Sequence, residues 1–178
     1  MFAGEWLRRT AAVDSAGIRS RAVPVTLAGQ PARALAPEDA IVQLAVHLAV
    51  NHQMAFPGLR GLVDVALLAR THEIDWRAVA QRARAWRVGT ATWLVLSLAR
   101  ELLGLAGAED AVALLRPSGV RRRLLRGFVN GQAVLEGRDM TGGPRRFAFQ
   151  LLLVDRPADA LRLLGRALWP EEDWLAAR

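Results

Sequence analysis

Between Ala40 and Leu59 the chain carries no charged side chain. A stretch of that length is long enough to span a bilayer as a helix. Gln43, His47, Asn51, His52, Gln53 and Pro57 fall inside it, crowded toward its C-terminal end. Strongly polar side chains are costly in lipid, so a buried helix of a soluble domain is the better reading, with the cytoplasm as the default location. Ile41, Leu44, Ala45 and Leu48 form one face at helical spacing, and Val42, Val46, Ala49 and Val50 cover most of the rest. A helix apolar nearly all round belongs at the centre of a core. Pro37 suits its first turn, and Glu38 and Asp39 suit the positive end of its dipole. The breaker cluster Phe56-Pro57-Gly58 closes it.

The remaining elements follow from the same signals. Phe2 to Val13 reads as a short helix that ends before Ser15-Ala16-Gly17. Ala22 to Leu27 reads as a strand, Gly29-Gln30 as a turn and Ala32 to Leu35 as the returning strand, with Pro24 confining the hairpin to an edge. Helices are expected at Leu59–Thr71, from Trp76 behind an Asp75 cap, at Ala91–Leu103, Ala108–Leu115, Val120–Val134, Phe147–Val154 and Pro157–Leu168. Asp155 is the expected cap of the last of these, residues 136–144 a flexible loop, and Asp173 to Ala177 a terminal turn. The fold class is mainly α: a multi-helix bundle with a small N-terminal β-hairpin. The expected division is residues 1–36, a short helix plus hairpin, and residues 37–178, a helical domain.

The 178 residues include 24 cationic side chains against 17 acidic ones, a formal net charge of +7. Every one of those cations is arginine. A sequence pI near 11.5 raises nucleic-acid binding. The complete replacement of lysine by arginine in an Ala- and Leu-rich chain reads instead as coding bias. With no cysteine, disulfide scaffolds, thiolate metal sites and thiol catalysis are excluded. Without lysine there is no phosphate loop ending in Gly-Lys, and there is no G-x-S-x-G or HExxH word. His47 and His52, five residues apart, would stand about 140° apart on an α-helix, so no metal site is expected. His47 and Asn51 share a face, and with His52 and Asp64 they form a candidate polar cluster. It is read either as facing a nucleotide-transfer domain or as hydrogen-bonded core groups. Arg121, Arg122, Arg123 and Arg126 are candidate phosphate ligands, with a solvated helix face as the alternative.

Several ordered words carry a resemblance. They are Leu35-Ala-Pro-Glu-Asp39, Leu44-Ala-Val-His47, Asn51-His52-Gln53, Leu59-Arg60-Gly-Leu-Val-Asp64, Ile74-Asp75-Trp76, Arg82–Arg87, and Leu168-Trp169-Pro170 with Trp174-Leu175. Together the chain resembles the C-terminal helical half of the bacterial nucleotidyltransferase-like family, whose members are mostly uncharacterised. The resemblance implies an upstream catalytic domain of polymerase-β type, with a Gly-Ser turn for the triphosphate and an Asp-x-Asp pair for divalent metal ions. This sequence contains neither element. No catalytic residue carries over, and the chain is expected to be inactive alone. The implied nucleoside triphosphate and metal belong to the other domain, which is the expected partner, joined or as a separate chain. The competing expectation is a stand-alone helical binding or adaptor module that holds nucleic acid through its arginines.

Overall fold

A computed structural model describes residues 6, 8–55, 58–137 and 143–168. Helical residues 8–10 lead into α1 (Ser15–Arg21) and the hairpin of β1 (Val23–Leu27) and β2 (Gln30–Ala34). Next come α2 (Pro37–Val46), a π-helical turn (His47–Asn51) and α3 (Gly58–Thr71). The chain continues through α4 (Trp76–Ala85), α5 (Gly89–Leu103), α6 (Glu109–Leu114), α7 (Gly119–Phe128), α8 (Gly131–Leu135), α9 (Gly143–Leu152) and α10 (Pro157–Leu168). The architecture is mainly α with one small antiparallel hairpin, as the residue patterns predict.

The core forms around α5 and α2. Thr90 to Leu96 are buried without a break, and so are Leu98 and Ala99. Helix α5 touches α2, α3, α4, α6 and α8, so a largely apolar surface is what its position demands. Helix α3 approaches the π turn closely at Gly61. A Cβ there would lie 2.1 Å from Leu48 Cδ2, so only glycine lets the backbone sit against that buried leucine. The core also takes in the N-terminal residues. Trp6 is buried, and its indole N–H donates to the carbonyl of Gln150 at 3.0 Å. Residues on both sides of Ala36 therefore contribute to one core cluster.

Local chemistry explains the element ends. Asp75 Oδ1 accepts from the Arg77 and Ala78 amides at 3.0 Å each, as its position before Trp76 predicts. Ser15-Ala16-Gly17 does not break a helix but begins one. Asp14 accepts from Gly17 N at 2.8 Å and caps α1. The predicted helix Val120–Val134 is two helices. Val129 is extended, and Asn130 caps α8 by accepting from Ala133 N at 2.9 Å. The expected loop at 136–144 falls largely outside the described residues, as does the expected terminal turn; Gly143 and Pro144 already belong to α9. The hairpin turns at Ala28 (φ 49°) and Gly29 (φ 77°), one residue earlier than predicted. Two consecutive positive φ values match the twist that a two-residue hairpin loop requires.

Asp155 has a different task from the one expected. It does not cap α10; its carboxylate reaches Gly89 N at 2.7 Å and Thr90 N at 2.9 Å. Helix α5 has no cap of its own, since Val88 precedes it. A carboxylate from across the fold therefore satisfies two orphan amides and sits at the positive end of the dipole. Asp155→Ala is expected to lower the unfolding free energy by about 1–2 kcal/mol, measured by urea denaturation.

A second polar tie joins the first helices. Asp39 is completely buried, yet it lies between two guanidinium groups. Arg21 reaches it at 3.0 Å and Arg82 at 3.2 Å, and Arg82 also reaches Glu38 at 3.0 Å. Removing one partner from a buried ion pair strands the remaining charge, which costs several kcal/mol. Arg82→Ala is expected to cost about 3 kcal/mol, at the low end of that range because Arg21 remains. Arg82→Lys restores one charge without the fork that spans both carboxylates, so its unfolding midpoint is expected between wild type and Ala.

Candidate functional site

The π turn reorganises the polar cluster predicted on the first long helix. In the α register His47 and His52 would diverge. Here the His52 amide donates to the His47 carbonyl at 3.1 Å, an i to i+5 bond. Closing a turn over five residues brings i and i+5 onto one face. His47 Nε2 and His52 Nε2 are 3.0 Å apart, and the rings meet edge to face with centroids 4.5 Å apart. Asn51 Nδ2 lies 3.0 Å from His47 Nδ1.

An amide nitrogen only donates, so His47 Nδ1 accepts. One of His47 Nε2 and His52 Nε2 donates to the other, and the tautomers set which. Asn51, His47 and His52 form a hydrogen-bonded chain at the surface. His47 and Asn51 are exposed and His52 is half-buried, so the core reading of these groups is corrected. The apolar faces of the helix are sealed by Leu48, Ala49 and Val50 instead.

Strain follows the turn. Gln53 (φ 52°) and Met54 (φ 59°) are both left-handed, both non-glycine and both buried. Gln53 Nε2 has no hydrogen-bond partner among the described residues. Non-glycine left-handed residues cost about 1–3 kcal/mol each and persist where surrounding structure holds them. Met54 N donates to Leu48 O at 2.9 Å, which clamps the end of the turn. A π turn with strained backbone beside it is a frequent feature of functional sites. Sequence reasoning placed the residues but assigned the wrong helical period, and no residue signal distinguishes the two.

Asp64 does not join them. It is exposed on α3 and has no hydrogen bond or ion pair with His47, Asn51 or His52 among the described residues. No grouping of three or more His, Cys, Asp or Glu side chains among the described residues is arranged to hold a metal ion. The implied divalent metal therefore does not fit the described side chains of this chain.

The arginines predicted as one phosphate-binding cluster separate on α7. Arg121 Nη1 donates to the Val154 carbonyl at 3.0 Å. Arg123 is exposed. Arg126 pairs with Glu101 and, with Arg122, lines a groove between α5, α6 and α7. Arg100 and Arg116, which lie outside the predicted cluster, line the same groove. They come from elements 22 or more residues away from Arg122 or from a loop beside it, which is why spacing alone did not group them.

The two polar clusters differ in what they do for folding. Surface substitutions away from buried features change stability by about 0.5 kcal/mol or less. His47→Ala and Asn51→Ala are expected to stay within that margin in urea denaturation, despite lying on a central helix.

The chain matches a family model described as an uncharacterised nucleotidyltransferase over residues 5–104. No match is found among curated proteins or among solved structures. The matched span contains the π turn, the Asp39 network and the whole of α5. Matched over more than half of its length, this chain belongs to the uncharacterised nucleotidyltransferase family.

Proposed function

We propose that this chain is the helical support of a metal-dependent nucleotide-transfer domain and holds no transfer chemistry of its own. The observation that carries this is the family match in a sequence without a Gly-Ser dipeptide or an Asp-x-Asp pair. Nucleotide transfer needs paired carboxylates to hold metal ions that activate the attacking group and stabilise the leaving one. The described residues offer no such pair near a phosphate-binding turn. In this reading the triphosphate and the metal sit in a polymerase-β-type domain supplied elsewhere.

The exposed Asn51–His47–His52 chain is the surface that shapes the acceptor side of the cleft. Its groups donate and accept protons without needing burial, which suits contact with a polar acceptor. The hairpin leaves Val23, Val25, Leu27 and Leu35 exposed, and apolar side chains so placed favour docking. An isolated two-stranded hairpin is marginal in water, so a covering partner would stabilise it. The competing nucleic-acid reading loses support, because the α7 arginines point to three different environments.

The test is transfer of label from nucleoside triphosphates with Mg²⁺, by the chain alone and with a domain carrying the two missing elements. The chain alone is expected to be inert. The pair is expected to form a complex on size exclusion and to transfer label. His52→Ala in the pair is expected to raise the acceptor KM by up to about tenfold, the size of one lost hydrogen bond, with kcat and the complex intact. Transfer by the isolated chain, or failure of the two to associate, refutes the reading.

A further inference from the structure

The groove between α5, α6 and α7 encloses about 540 Å³. That volume lies within the range of pockets that hold small molecules, about 300–1,000 Å³. Four guanidinium groups line it, from Arg100, Arg116, Arg122 and Arg126, against two carboxylates, Glu101 and Glu109. The carboxylates are already engaged: Glu109 with Arg100 at 3.0 Å, and Glu101 with Arg126. Arg116 and Arg122 have no carboxylate partner among the described residues. The groove is thus left with an excess of two positive charges.

Its walls also hold unused hydrogen-bonding capacity. Ser97 Oγ, Arg100 Nε and Arg122 Nε are buried atoms with no partner among the described residues, and all three belong to lining residues. Buried polar groups are normally satisfied, and leaving one unmade costs about 1–3 kcal/mol. Three such atoms on the lining residues of one groove leave its polar side chains less firmly held than those elsewhere in the core. Trp93, on the helical turn before Ser97, adds an aromatic wall.

We propose that this groove binds a small molecule bearing a phosphate monoester. Such a group carries close to two negative charges at neutral pH and three acceptor oxygens. The charge matches the excess in the groove. Its acceptors suit the guanidinium groups of Arg122 on α7 and Arg116 at the rim, which no carboxylate among the described residues holds. The paired Glu101 and Glu109 repel a continuous polyanion, which favours a compact ligand over a nucleic-acid strand. Arg116, Arg122 and Arg126 lie beyond the family match, so the site is largely independent of the shared segment and of the transfer role above.

Isothermal titration of the full chain with adenosine 5′-monophosphate, inorganic phosphate and adenosine tests this. The monophosphate is expected to bind and phosphate to compete with it. Adenosine, lacking the charge, is expected to bind about tenfold more weakly or not at all. Arg122→Ala is expected to weaken the monophosphate about tenfold. Arg116→Ala is an independent check, because its exposed side chain leaves the fold unaffected. Binding of neither monophosphate nor phosphate overturns the proposal, and so does unchanged affinity in both variants. Tighter binding of a single-stranded oligoribonucleotide than of the monophosphate, lost in the same variants, replaces it with a polynucleotide surface.

Discussion

A carboxylate with no solvent exposure cannot remain charged in a core unless its neighbours replace water. Asp39 meets that requirement with two guanidinium groups. The arrangement organises the first half of the molecule. Arg21 ends α1, Asp39 lies in the first turn of α2, and Arg82 lies in α4. Glu38 extends the network to the Asp75 amide at 3.4 Å, where α4 begins. Pro37-Glu38-Asp39, Asp75-Trp76 and Arg82 come from three of the words that carry the family resemblance. They meet at one place, and their work there is to set the positions of three helices. Part of what identifies the family is therefore scaffold, and the π turn beside it stands on that scaffold.

The helices were legible because the apolar periodicity is strong and several ends carry their own signal. Asp75, Pro157 and the Gly104 that closes α5 are local cues that act over a few residues. Features that depend on distant partners were not legible. Asp155 was assigned to the helix beside it, but its acceptors are needed 65 residues upstream, where Val88 leaves α5 uncapped. Asp39 was read as a charge complementing a dipole, because nothing local shows that Arg21 and Arg82 will bury it. Val129 and Asn130 divide a predicted helix that composition alone would continue.

The candidate site was half legible for a related reason. Residue types identified His47, Asn51 and His52, but the α period put the two imidazoles on different faces. The π turn changes the period without changing a residue. Asp64 failed to join because α3 turns it outward while Leu62 and Val65 face the core. The arginine run suffered the opposite error. Adjacency in sequence suggested one patch, whereas successive helical positions send Arg121, Arg122 and Arg123 to different surroundings. Arg100 meets Arg122 only through tertiary packing, and Arg116 through the loop that joins α6 to α7.

The hydrogen bond from Trp6 to Gln150 has a consequence for how the protein is made. The two residues are 144 positions apart. A ribosome adding about 5–20 residues per second leaves that indole without its native acceptor for roughly 7–30 s. Helix α5 likewise emerges before Asp155 exists to complete its first turn. The indole of Trp6 and the first turn of α5 therefore stay incomplete until the segment carrying Gln150 and Asp155 has been made.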